Sequence, residues 1–361
     1  MEPAILAINP GSTSTKCAVY RGTTEAWRKG VAHLPEDLSR FRRIQDQLEF
    51  RTAAVRAGIG ESGIPLSEIA AVVGRGGLLK PLDGGVYAVN ERMKSDLMAC
   101  RYGIHASNLG ALIADSIAAE LGVPAYIVDP VVVDELDPIA RLSGIPEIPR
   151  RSIFHALNQR ATARKAARSL GKAYRECAMI VAHMGGGISI GIHVDGRVVD
   201  VNNALDGEGP FAIERAGTVP AGDWMRWVLS HQHDPQSLQL MLTGRGGLVA
   251  YLGTNSFPAI EQSAEGAGDL DAGLSDALIR ALCYQVAKSI AGLAAFTGGR
   301  VDAVVLTGGL AFSRRVVEEI TARVSYLGPV LLFPGENELE ALAMGAREVL
   351  LGEASARTYE G

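Results

Sequence analysis

An apolar run, Ala4 to Ile8, ends at Asn9-Pro10-Gly11, gives way to Ser12, Thr13, Ser14, Thr15 and Lys16, and returns at once to Cys17-Ala18-Val19-Tyr20. Apolar runs on either side of a glycine turn predict a strand–turn–strand unit. A bare hairpin needs only about two turn residues. Four hydroxyls and an ammonium therefore leave two readings open: a solvated tip, or a surface for an anion. The pattern returns at 179–201, MIVAHMGGGISIGIHVDGRVVDV, where Gly185-Gly186-Gly187 separates two runs and Asp195-Gly196 turns into a third. A closer echo links AAVVGRGGLLKP (70–81) with DAVVLTGGLAFS (302–313), each a β-branched run ending in Gly-Gly-Leu. Leu278, Leu282, Val286, Ile290 and Leu293 predict a helix over 276–296, and Leu109, Leu112, Ile113, Ile117 and Leu121 predict one over 108–121. Two similar strand-rich halves read as an internal duplication with a cleft between the copies. Pro130, Pro138, Pro146 and Pro149 then mark the connection. The alternative is a chance likeness of two βα segments.

Composition narrows the class. A chain of 361 residues exceeds one ordinary core, so two domains are expected. Hydrophobic content of 47% with 21% charged residues is that of a globular protein. A net charge of −5 and the lack of a basic run point away from nucleic acid. The first residues lack the basic and apolar regions of a signal peptide, and no apolar stretch is expected to reach the roughly 20 residues that span a bilayer. Cys17, Cys100, Cys177 and Cys283 are dispersed and form no CxxC, which predicts reduced thiols in a cytoplasmic protein.

Backbone amides in a glycine turn approach an anion that a side chain would block. Neither GxxxxGK[ST] nor GxGxxG in a strand–helix context occurs, which weakens the P-loop and Rossmann readings. Gly11–Lys16, Gly185–Ser189 and Gly308-Gly309 are instead three separate turns at strand ends. Any one alone reads as structural. Three at comparable places in a duplicated chain favour a nucleotide shared between the halves.

AINPGSTSTK, FHALNQ (154–159), AHMGGGIS (182–189), ERAGT (214–218), LTGGLA (306–311) and GENE (335–338) run in the order of the acetate and butyrate kinase family, which the chain resembles over essentially its whole length. The longer segments VVGRGGLLKPLDGGVYAVN, IFHALNQRA and NALDGEGPFAIERAGT resemble butyrate kinases more than acetate kinases. The family lies in the sugar kinase, heat-shock cognate and actin superfamily. The resemblance implies an α/β architecture of duplicated actin-like ATPase (ribonuclease H-like) domains with an interdomain nucleotide cleft. It implies an acyl-substrate domain over 1–151 plus about 340–361, and a nucleotide-binding domain over 152–339. A homo-oligomer, dimer or higher, is implied as well.

The same resemblance assigns roles. Asn9, Ser12, Ser14 and Lys16 match the phosphate-contacting first loop, with Gly185, Gly186, Gly187, Gly308, Gly309 and His183 on the nucleotide side. Arg75, between two glycines, matches a group for the substrate carboxylate or the transferring phosphoryl, where a guanidinium fork suits either; its other reading is a surface loop arginine. Arg215 matches the second active-site arginine, or an ion pair with Glu214. Asp129 follows an apolar run and precedes Pro130; it matches the catalytic aspartate, or caps a loop. His155 follows Ser152, a candidate N-cap, and matches the histidine that steadies the phosphoryl group. A nearby second family histidine is Gln159 here. His105 also matches a family position, where a structural role competes. Glu338 matches the magnesium-contacting glutamate, with Glu336 close by. Phe154, and Ile104 beside it in the pocket, match the apolar wall around the acyl group.

The implied reaction is in-line transfer between ATP and a short fatty acid, with Mg²⁺. A carboxylic acid of pKa near 4 is already ionised at neutral pH, so no general base is required. Alignment and charge neutralisation remain. The expected acceptor is butyrate, giving butyryl phosphate and ADP. The alternatives are isobutyrate, propionate or acetate, a non-enzymatic ATP-binding switch, or a hydroxyl-directed kinase with Asp129 as base. No nucleic-acid or membrane partner is expected.

Overall fold

The computed structural model describes residues 2–231 and 234–361. It divides into two compact units: 1–134 with 156–158 and 337–361, and 135–155 with 159–336.

The first unit is built on a seven-stranded sheet. Its strands are β1 (Ala4–Pro10), β2 (Ser14–Arg21), β3 (Thr24–Ala32), β4 (Ile69–Arg75), β5 (Val86–Ala88), β6 (Ala125–Val128) and β12 (Arg357–Thr358), in the order β12-β5-β6-β4-β1-β2-β3. The opening motif is an antiparallel hairpin with Asn9 opposite Lys16 and Pro10 opposite Thr15. β4 and β6 run parallel to β1 and to each other in turn. Every residue of β1 is buried, as expected of a central strand covered on both faces. Ala4, Leu6 and Ile8 share a core with Leu109, Ile113 and Ile117 of the helix Asn108–Leu121. Ile5 and Ala7 between them are equally buried, and the helix Glu338–Leu350 also packs on β1. Strand β4 and the helix Asn108–Leu121 meet backbone to backbone. A Cβ at Gly74 would lie 2.1 Å from the Gly110 carbonyl oxygen, and one at Gly110 would lie 2.2 Å from that of Arg75.

The second unit carries β7 (Ala178–Met184), β8 (Ile188–Val194), β9 (Arg197–Val201), β10 (Ala303–Gly308) and β11 (Val330–Pro334) in the order β11-β10-β7-β8-β9. β7, β8 and β9 form an antiparallel meander, and β10 and β11 run parallel to β7. The subset β6-β4-β1-β2-β3 of the first sheet has the same order and the same pairing senses. The paired Gly-Gly-Leu segments thus stand at the ends of equivalent strands, β4 and β10.

Two expectations are corrected. The helix expected to start after Ser152 spans Ala156–Ser169, with His155 at the N-cap position. The backbone N–H and the Nδ1 of His155 both meet Ser189 Oγ on β8, at 3.4 and 2.9 Å, which holds His155 out of helical geometry. Second, the helix Ala272–Leu293, with the turn to Thr297, is long and apolar enough by length and composition to cross a bilayer. Its Leu278, Ile279, Leu282, Cys283, Val286 and Ile290 are buried in the core of the second unit.

Candidate functional site

In the first unit, three of the expected site residues meet. Arg75, at the end of β4, forms a two-pronged ion pair with Glu338, each guanidinium nitrogen 3.0 Å from a carboxylate oxygen. Asn9 donates to the same carboxylate and accepts from Arg75 at 3.3 Å. Glu338 is the first residue of the helix Glu338–Leu350, where the helix dipole favours an anion. Asp129, directly after β6, is nearly fully buried and takes φ +38°, a conformation that aspartate tolerates better than most residues. It exchanges two hydrogen bonds with Gly85: its N–H donates to the Gly85 carbonyl at 3.0 Å, and its carboxylate accepts from Gly85 N–H at 2.7 Å.

The first loop is shaped by a residue that no motif revealed. Arg51, fully buried on the helix Leu48–Glu61, donates to the carbonyls of Gly11, Ser12 and Ser14 and to Thr15 Oγ1 at 2.9–3.1 Å. Carbonyl oxygens that would repel a phosphate are thereby drawn toward a cation. Burial lowers the Arg51 pKa, the cost of placing a guanidinium there. Ser12 and Lys16 stay exposed and Ser14 half-buried, whereas Thr15 turns inward to His33 at 2.8 Å. The hydroxyl run therefore has two faces. His105 holds Ser107 through its Nδ1 at 2.8 Å, a local structural bond.

In the second unit, a cavity of about 680 Å³ lies at the carboxyl ends of β7, β10 and β11. Gly185 and Gly186 line it from the β7–β8 turn, Gly309, Phe312 and Ser313 from the segment after β10, and Gly335 and Glu336 from the segment after β11. Carboxyl ends of parallel strands are the usual ligand edge of an α/β sheet. Gly308 closes β10, with its N–H donating to the Gly335 carbonyl at 3.2 Å. The site extends past the cavity through Gly187. A Cβ there would lie 2.2 Å from Arg215 Nη1, so glycine is what allows the guanidinium to sit on the turn.

Arg215 is half-buried, donates from Nη1 to the Ala204 carbonyl at 2.6 Å, and makes no ion pair among the described residues. The expected alternative, a pair with Glu214, is not formed: Glu214 accepts from Asn255 at 2.9 Å. Burial works against the charge of Arg215, while the more distant Glu214 and Asp206 support it. His155 stacks on buried His183, ring centroids 3.9 Å apart, and His183 Nε2 lies 3.0 Å from Glu336 Oε1. Glu336 is thus tied to His183, and Glu338 to Arg75. Phe154 is 3% exposed and Ile104 76% exposed, on different units.

The residues do not form a resident metal cage. Among the described residues no three His, Cys, Asp or Glu side chains gather as one. Both Glu338 oxygens face Arg75, with which a cation would compete.

A model of the acetokinase family matches residues 147–356. Butyrate kinase 2 and butyrate kinase 1 of Clostridium acetobutylicum are each 48% identical, over 100% and 99% of this chain and 100% and 99% of theirs. A probable butyrate kinase of Clostridium botulinum strain Eklund 17B is 47% identical over 99% of this chain and 100% of its own. Among solved structures, an acetate kinase of Porphyromonas gingivalis superposes with a TM-score of 0.75 at 17% identity, covering 96% of this chain and 100% of that one. A propionate kinase of Francisella tularensis gives 0.70 at 19% identity, covering 95% and 98%. At such identities these structures bear on the fold alone, which is the expected actin-like ATPase fold.

Proposed function

This chain belongs to the acetokinase family, and we propose that it is a carboxylate kinase that reversibly transfers the γ-phosphoryl group of ATP to butyrate. A carboxylate oxygen of the acid attacks the γ-phosphorus as the bond to the β-phosphate oxygen breaks, leaving butyryl phosphate and ADP. No proton moves, because the acid enters ionised.

The observation that carries the phosphotransfer reading is Arg215: a half-buried guanidinium, seated on the triple-glycine turn and held by one backbone carbonyl, with no carboxylate partner among the described residues. Such a cation is suited to the charge of a transferring phosphoryl group. In this reading Arg215 neutralises that group and His155 steadies it, while the glycine turns and Asn9, Ser12, Ser14 and Lys16 hold the nucleotide phosphates. Arg75 receives the carboxylate or the phosphoryl group and Asp129 positions the reactants. Phe154 walls the acyl chain. Magnesium enters with the nucleotide, as Mg·ATP, and adds charge neutralisation at the phosphates. The full-length relatives named butyrate kinase support butyrate as acceptor, and the same reading carries cytoplasmic location and homo-oligomeric assembly.

The test is incubation with Mg·ATP and each of acetate, propionate, butyrate, isobutyrate and valerate, with hydroxylamine trapping any acyl phosphate. The largest yield is expected with butyrate. A larger yield with another acid replaces the substrate and keeps the mechanism. ATP binding with no trapped product from any acid overturns the kinase.

A further inference from the structure

His155 stands at the end of a chain of hydrogen bonds that runs into the core of the second unit. Its Nδ1 lies 2.9 Å from Ser189 Oγ. Gln159 Nε2 lies 2.8 Å from the same hydroxyl and 2.9 Å from the Ser189 carbonyl oxygen. Gln159 Oε1 is 3.1 Å from His193 Nε2, and His193 Nδ1 is 2.8 Å from the Tyr174 hydroxyl. Gln159, Ser189 and His193 are fully buried.

The protons along this chain follow from which groups can only accept. A carbonyl oxygen cannot donate, so the end of Gln159 that faces the Ser189 carbonyl is the NH₂, which fixes the amide orientation. Gln159 Oε1 therefore faces His193 and requires an N–H from its Nε2. His193 has only that one ring proton to give. Burial, reinforced by Arg160 and Arg164, pushes it from the usual 6.5 to about 3, so the ring is neutral and its Nδ1 accepts from Tyr174. At the other end Ser189 Oγ accepts from Gln159, leaving its own proton to donate, and His155 Nδ1 is the acceptor in range. A ring nitrogen that accepts carries no proton, so neutral His155 keeps its proton on Nε2.

We propose that Tyr174, His193, Gln159 and Ser189 form a positioning chain that holds neutral His155 as its Nε2–H tautomer, presenting a fixed hydrogen-bond donor to a phosphoryl oxygen. The tautomer assignment stands on the geometry alone; its use on a phosphoryl oxygen rests on the kinase reading. Gln159 and His193 act through His155 and are positioning residues. Their contribution is a donor already oriented before charge develops.

The experiment is two-bond proton–nitrogen correlation NMR of the full chain with ¹⁵N-labelled histidine at pH 8, with His155 assigned by comparison with His155→Gln. The expected pattern is an unprotonated Nδ1 and a protonated Nε2. Ser189→Ala and Gln159→Met should each shift His155 toward a mixture of tautomers and lower kcat about tenfold, with the KM for ATP within about twofold. Ser189→Thr keeps the hydroxyl and should keep the wild-type pattern. A proton on Nδ1 in the wild-type protein overturns the proposal, and that spectrum decides even if a variant does not fold. So does an unchanged tautomer in both disrupting variants. If the tautomer behaves as expected but no acid yields acyl phosphate, the chain stands and the kinase reading falls.

Discussion

At the scale of single residues, Arg215 and His193 are opposite uses of burial. Arg215 keeps its charge half-buried and free of any ion pair among the described residues, so its removal should cost the reaction more than it costs binding. Arg215→Ala is expected to lower kcat by about 10²–10³-fold, as for loss of a preorganised electrostatic donor. The dissociation constant of ATP should stay within about threefold, and equal losses in both would contradict the assignment. His193 is held neutral. An unfolded histidine takes up a proton as pH falls below 6.5, whereas folded His193 does not until about 3. Stability supplied by the neutral ring is therefore complete above 6.5 and is lost as pH falls toward 3, with a slope of at most ~1.4 kcal/mol per pH unit. His193→Gln removes that titration. Urea unfolding at pH 6.5 and 4.5 should show a drop in wild-type stability that exceeds the variant's by about 2 kcal/mol.

At the scale of elements, the strongest constraint is the crossing of β4 by the helix Asn108–Leu121. Gly110→Ala would drive a methyl group into the Arg75 carbonyl, a backbone atom that cannot rotate away. A destabilisation of about 3 kcal/mol is expected from overpacking, together with a loss of activity because Arg75 itself is displaced. Thermal unfolding and the hydroxylamine assay read the two effects, and an alanine variant of wild-type stability would refute the contact. Much at this scale was legible in the chain. The period of apolar residues marks the helix at 108–121, and the Gly-Gly-Leu echo pairs β4 with β10. The helix expected over 276–296 begins instead at Ala272, because Asp271 caps it by accepting from Leu274 N–H, a bond that apolar spacing does not record. The glycine turns at strand ends were legible for the same local reason. The pairing of Arg75 with Glu338 was not: the two are 263 positions apart and meet only once the helix Glu338–Leu350 packs on β4. Arg51 and the His193 chain were hidden likewise, since a buried arginine or histidine carries no motif of its own.

At the scale of the whole molecule, the first unit is closed by the far end of the chain. Residues 337–361 return to it after the second unit is complete, and the last strand, β12, pairs with β5. Tyr359, 4% exposed, seals that return. Its hydroxyl donates to the buried carboxylate of Asp96 at 3.0 Å and accepts from Lys80 N–H at 3.2 Å, while its carbonyl accepts from Asn90 at 2.9 Å. Tyr359→Phe keeps the ring and deletes the hydroxyl, leaving a buried carboxylate short of a donor. Loss of a hydrogen bond to a charged group of this kind costs about 2 kcal/mol. The three tryptophans allow the effect to be localised. Trp27 lies on β3 of the first unit, and Trp224 and Trp227 lie in the second, so a Trp224→Phe/Trp227→Phe background leaves Trp27 as sole reporter of the sheet that Tyr359 closes. In that background Tyr359→Phe should lower the urea midpoint of the Trp27 signal by roughly 1 M, taking a slope of about 2 kcal/mol per molar. Tyr284→Phe, at a tyrosine 57% exposed, should leave it unchanged. Equal midpoints for Tyr359→Phe and its parent would mean that the sheet begun by the opening hairpin does not depend on the chain's return to complete it.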